Sequence, residues 1–121
     1  MAQSDEPARP RKTPLVFFGT GSGAEPVRDW LLSLDAEDRK AIGFDLMQVQ
    51  FGWPVGMPLC RSLGRGLWEA RTLLPSGTIA RVIFCFVDGE LVALNGFIKK
   101  TQKTPTREIE AALQRKKEYE A

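Results

Sequence analysis

An Asp-Gly pair at positions 88 and 89 lies between two long apolar runs, Thr78–Val87 and Glu90–Ile98. Both central residues of a two-residue hairpin turn need positive φ, and Asp-Gly adopts it readily. The two runs are therefore expected to form an antiparallel hairpin, with Arg81 the one charge inside the first strand. Pro75-Ser76-Gly77 reads as a second turn, which adds Leu67–Leu73 as another strand. Leu15–Phe18 is a short apolar run, read as the first strand.

Between the first strand and the loop at Gly52–Pro58 the periodicity is helical. Pro26 suits a first helical turn, and Val27, Trp30, Leu31 and Leu34 recur at three- and four-residue spacing. Asp35 reads as the cap of a second helix running to about Val49, with Ala36, Ile42, Leu46 and Val49 on its buried side. Thr104-Pro105 reads as the cap and first residue of a terminal helix ending near Glu118. Trp53 in the loop is either a cover over the core or a base-stacking surface; its large apolar area favours the cover. The expected class is α+β: an antiparallel meander sheet of about four strands, with an N-terminal helical hairpin packed on it and a C-terminal helix. Residues 1–14 are polar and interrupted by Pro7, Pro10 and Pro14, so they are expected to be a disordered tail. Residues 15–121 are expected to form one domain.

Composition narrows the chemistry. At 43% hydrophobic and 26% charged residues, a packed soluble core is expected. The chain has no histidine, which excludes histidine general bases, Ser-His-Asp triads and histidine metal sites. Cys60 and Cys85 cannot build a zinc site by themselves; they are expected as reduced thiols, with a single disulfide left open. The Gly19–Pro26 stretch lacks the Gly-Lys-Ser/Thr ending of a phosphate loop and reads as a turn. There is no apolar leader at the N-terminus, and the longest apolar run, Val82–Val87, is far too short to span a bilayer. A cytoplasmic protein with no membrane association is expected.

Net charge is only +2, so local clusters matter more than the total. Continued from the Asp-Gly turn, the hairpin register places Arg81 opposite Gly96, with Lys100 further along the same face. A two-residue turn at Ser76-Gly77 would put Arg71 on the other face, whereas a three-residue turn at Pro75–Gly77 pairs Leu74 with Thr78. Arg71 then sits opposite Arg81, and Glu69 lies one step along that face. Like charges directly opposite one another destabilise a sheet. The placement makes sense if an anion lies between them, since a guanidinium grips phosphate through two parallel hydrogen bonds. An ion-pair network with Glu69 would account for it equally well. A second basic cluster, Lys99, Lys100, Lys103 and Arg107, runs from the strand end into the helix start, where a phosphate is also favoured. Phe97 on that strand reads as core or as a base-stacking ring.

Several of these residues form a recognisable pattern. Gly66-Leu67-Trp68-Glu69 is followed by Arg71, then by Arg81-Val82, then by Gly96-Phe97-Ile98-Lys99-Lys100-Thr101-Gln102-Lys103-Thr104-Pro105. Asp29-Trp30-Leu31 and the approach Pro58–Glu69, which includes Arg65, fit the same pattern. On these residues the chain resembles the phage-derived, HigB-like branch of the RelE/ParE toxin superfamily, over about residues 25–120. The resemblance implies a compact sheet with two helices on one side and the toxin role in a type II toxin–antitoxin system. It implies an antitoxin partner with a helix-turn-helix domain, operator DNA being reached only through that antitoxin. It also implies a ribosome-dependent endoribonuclease that cuts mRNA to a 2′,3′-cyclic phosphate without metal or cofactor. On that reading Arg71, Arg81, Glu69 and Lys100 are the catalytic candidates, Glu69 as general base or as a brace for the arginines. Lys99, Lys103, Arg107, Arg65 and Phe97 are the nucleic-acid-binding candidates. Relatives place a C-terminal tyrosine or a histidine near the scissile phosphate; this chain has Tyr119 and no histidine. The ParE branch implies an alternative, a non-nuclease toxin that binds and inhibits DNA gyrase.

Overall fold

The computed structural model describes residues 12–99 and 103–121. Most of the expected N-terminal tail, and Lys100, lie outside the described residues. In chain order the elements are β1 (Leu15–Phe17), α1 (Pro26–Leu32), α2 (Ala36–Gly52), β2 (Cys60–Gly64), β3 (Leu67–Leu73), β4 (Ile79–Val87), β5 (Glu90–Lys99) and α3 (Thr106–Glu120). The β4–β5 hairpin closes through Asp88 and Gly89, at φ 50° and 81°, and Val87 pairs with Glu90. The β3–β4 turn closes with the Leu74 amide donating to the Thr78 carbonyl at 2.8 Å, and Arg71 pairs with Arg81.

The fold is α+β, but the sheet is not an antiparallel meander of about four strands. It is a five-stranded mixed sheet in the order β1-β5-β4-β3-β2, with β1 parallel to β5. Leu15 meets Leu91 and Phe17 meets Ala93. Apolar periodicity marks a strand but carries no information about its partner, so the parallel pairing was not readable. β2 escaped notice because its five residues, Cys-Arg-Ser-Leu-Gly, are an edge strand with Arg61 and Ser62 exposed.

The expected N-terminal helical hairpin does not form either. α1 packs on β5 and β1, whereas α2 packs on β3. Each helix has its own apolar stripe, and each stripe is buried against the sheet. Val27 and Leu31 do this for α1, and Ile42, Leu46 and Val49 for α2. Asp35 holds the N-cap position of α2 without a side-chain capping bond. α3 contacts β4 and β5 from the opposite side, so helices cover both faces. One core, under α1 and α2, contains Ile42, Val49, Ala70, Val82 and Phe84; the other, under α3, contains Leu67, Ile83, Val92, Leu94 and Phe97. This double burial explains why β4 is apolar on both faces and not alternating. Trp53 is a cover: it meets Trp68, Phe84 and Phe86 at ring-centroid distances of 5.2, 5.3 and 5.8 Å. Cys60 and Cys85 are buried free thiols in different cores, and burial pushes each pKa up to about 11.

A β-bulge in β5 resets the register. Phe84 pairs with Ala93 but Ile83 pairs with Asn95, so Leu94 is the extra residue. Leu94 and Asn95 both turn toward α3, and the helix fastens them there. The Arg115 guanidinium donates to the Leu94 carbonyl at 2.8 Å, and the Asn95 amide donates to the Glu108 carboxylate at 2.9 Å. Beyond the bulge Gly96 faces α1, where Trp30 lies directly over it. A Cβ on Gly96 would come within 2.3 Å of the Trp30 ring. Gly96→Ala should therefore destabilise the fold by about 1–3 kcal/mol through overpacking. The urea midpoint should fall accordingly, and an unchanged midpoint would show that the Trp30 ring yields freely.

Candidate functional site

The bulge decides which charges meet. Upstream of it, Val92 faces α3; downstream, Asn95, Phe97 and Lys99 do. Arg81 pairs with Phe97, and Ile79 with Lys99, in place of the Arg81–Gly96 pairing expected from an unbroken ladder. Lys99 thus shares the α3 face with Arg81, the role that the unbroken ladder would give to Lys100. β2 adds another cation, because Arg61 pairs with Glu69 and so projects to the same face. Arg61, Arg71, Arg81 and Lys99 come together around one carboxylate, Glu69.

Glu69 is fully buried, and both of its oxygens are engaged. Oε1 accepts from Arg81 Nη1 at 2.5 Å, and Oε2 accepts a short hydrogen bond from the Thr104 hydroxyl. Thr104 therefore does not cap α3; Pro105 holds the N-cap position, and the Thr104 hydroxyl turns inward. Arg81 is only 2% exposed, so it anchors Glu69 from within the sheet and does not present itself to solvent. The carboxylate is thus enclosed and held from two sides, by Arg81 and by Thr104. The four ion pairs found among the described residues include Arg81–Glu69 but none with Arg61 or Arg71. Arg71 is half-buried and Arg61 is exposed.

Lys99 is 6% exposed, and among the described residues its Nζ has no hydrogen-bond partner; nor has Arg81 Nε. Burial lowers the Lys99 pKa, the Arg81 charge lowers it further, Glu69 opposes this, and Arg71 and Arg61 add to the lowering. A buried ammonium without a partner is costly. The arrangement stores unfavourable electrostatics in a place that an added anion would relieve.

The other candidates lie elsewhere. Phe97 is 8% exposed and packs in the core beneath α3. Arg65 sits at the tip of the β2–β3 turn with φ 54°, and the next residue, Gly66, lies against Lys116 near the far end of α3. Lys103 precedes α3, and Arg107, 84% exposed, lies in its first turn, both at the helix end that Thr104 ties to Glu69. Lys100 lies outside the described residues. Arg61 was missed in the sequence because only the unrecognised strand β2 gives it a face; the alternation of Cys60, Ser62 and Gly64 with Arg61 and Leu63 was the available signal. Among the described residues no cluster of His, Cys, Asp or Glu is arranged to hold a metal ion.

Two outcomes follow from the charges. Removing the brace by Glu69→Leu leaves Arg81 buried without a counter-charge and should cost about 3–5 kcal/mol in chemical denaturation. Lys99→Met should do the reverse and raise the melting temperature at pH 7. Because the folded-state pKa of Lys99 is depressed, the unfolded chain binds the extra proton as pH rises between the two values, and wild-type stability climbs there. The advantage of Lys99→Met should therefore shrink as the pH approaches the ordinary lysine value of 10.5. A pH-independent difference would mean that Lys99 carries no such penalty.

No curated protein matches the chain. A family model described as phage derived protein Gp49-like (DUF891) matches residues 29–117. That span takes in most of α1, all of β2 to β5 and nearly all of α3, and with them every cation of the cluster. With nearly three-quarters of its length matched in this way, the chain belongs to the phage-derived Gp49-like family, type II toxins related to the RelE-like toxins, whose members work opposite a cognate antitoxin.

Proposed function

We propose that the protein is the HigB-like toxin of a toxin–antitoxin system and acts in the cytoplasm as a ribosome-dependent mRNA endoribonuclease, held in check by a helix-turn-helix antitoxin. The observation that carries this reading is the imbalance on the α3 face: four cations share one carboxylate, which is already saturated by Arg81 and Thr104. A backbone phosphate is the ligand such a surface suits best. The N-terminus of α3, joined to the cluster through Thr104, adds its own positive potential.

In the proposed reaction the 2′-hydroxyl attacks the adjacent phosphorus and the bond to the 5′-oxygen breaks. The products are a 2′,3′-cyclic phosphate and a 5′-hydroxyl. Negative charge accumulates on the phosphorane oxygens, and Arg71 and Arg61 are the guanidiniums open enough to meet it. Lys99 reinforces the positive field from behind, while Arg81 and Glu69 hold the frame. Lys103 and Arg107 extend the basic track along the RNA.

Induction of the wild-type chain should produce new mRNA 5′ ends phased with codons inside translated frames. Arg71→Ala should lower that cleavage about a hundredfold, the scale set by losing one transition-state donor, while leaving the melting temperature nearly unchanged. Intact mRNA together with a DNA-damage response would instead mark gyrase as the target and remove the nuclease reading.

A further inference from the structure

The absence of a helical hairpin leaves an open groove between α1 and α2, on the face of the sheet away from the cation cluster. Leu15 and Phe17 of β1 line it, with Leu32 at the end of α1, which is 55% exposed. Among the described residues its charged lining is Lys12, Arg28 and Arg39, with no acidic residue. Arg39 donates to the Leu34 carbonyl at 3.0 Å, and Arg28 is held only loosely, 3.8 Å from Glu25. An apolar floor rimmed by cations of one sign selects an acidic partner with apolar side chains.

The sheet edge adds a second element of recognition. Among the described residues β1 has β5 as its sole strand neighbour. The Pro14 carbonyl accepts from the Leu91 amide and the Phe18 amide donates to the Ala93 carbonyl, at 2.8 and 3.0 Å. By the alternation of a strand, the amides and carbonyls of Leu15 and Phe17 then point away from the sheet. A free edge beside a groove is the arrangement into which an extended peptide inserts as an added strand.

The geometry points to this groove as the docking site for an extended acidic segment of the cognate antitoxin, paired to the free edge of β1 and with apolar side chains set on Leu15, Phe17 and Leu32. The inference rests on the family's antitoxin partnership and is independent of whether the toxin cuts RNA. A purified complex with the antitoxin encoded beside the toxin tests it. Binding should slow hydrogen exchange at the Leu15 and Phe17 amides. Arg28→Glu and Leu32→Glu, both at exposed positions, should each weaken binding by about tenfold or more while keeping the wild-type melting temperature. Raising the salt to about 1 M should weaken the wild-type complex as well. Full affinity in both variants, or protection confined to other strands, would overturn the assignment. Protection at β1 with mRNA left intact in cells would leave the docking site standing and remove only the nuclease reading.

Discussion

Two arginines facing each other across adjacent strands repel, and the β3–β4 ladder exists because Glu69 sits one row away and takes Arg81 as its partner. The pair is fully enclosed, so desolvation works against it, and only close geometry with every carboxylate oxygen engaged offsets that cost. Thr104 completes the set and fastens the segment that leads into α3. One contact therefore fixes both the seat of a helix and the charge balance of a surface. With Glu69 committed inward, the positive charge of Arg71, Arg61 and Lys99 has no counterpart in the described protein.

The parts of this arrangement that depend on turn chemistry were legible in the sequence. Asp88-Gly89 fixed the start of the β4–β5 ladder, and a three-residue turn at Pro75–Gly77 placed Arg71 opposite Arg81 in the β3–β4 ladder. The bulge was not legible. β5 is apolar on both faces, so one extra residue at Leu94 leaves no break in its pattern, yet it exchanges the faces of everything downstream. That single residue is why Lys99 stands where Lys100 was expected. Thr104 was misread for a related reason: a threonine before a proline looks like a helix cap, and only the buried carboxylate across the sheet redirects its hydroxyl. Long-range pairing was the other blind spot, since neither the parallel partner of β1 nor the edge strand carrying Arg61 is written in local periodicity.

The two faces of the sheet divide the labour of the molecule. α3 and its hydrogen bonds to Leu94 and Asn95 stiffen the strand that carries Lys99, so the cations rest on a rigid floor and not on a loop. The other face carries most of the large aromatic packing, with Trp30 over Gly96 and Trp53 against Trp68 and Phe84. A protein docked on that second face would be separated from the cations by the thickness of the sheet. It would act by its bulk and not by plugging the basic surface.

The parallel pairing of β1 also has a bearing on how the chain is made. Leu15 is among the first described residues to be synthesised, but its neighbour in the sheet, Leu91, belongs to the last strand. Contacts so distant in sequence form late and slowly. Glu69 likewise waits for Thr104 to arrive before its second oxygen is satisfied. A nascent chain therefore emerges with its first strand unpaired and its basic surface unassembled, and the finished architecture is reached only after the segment through Thr104 has been made.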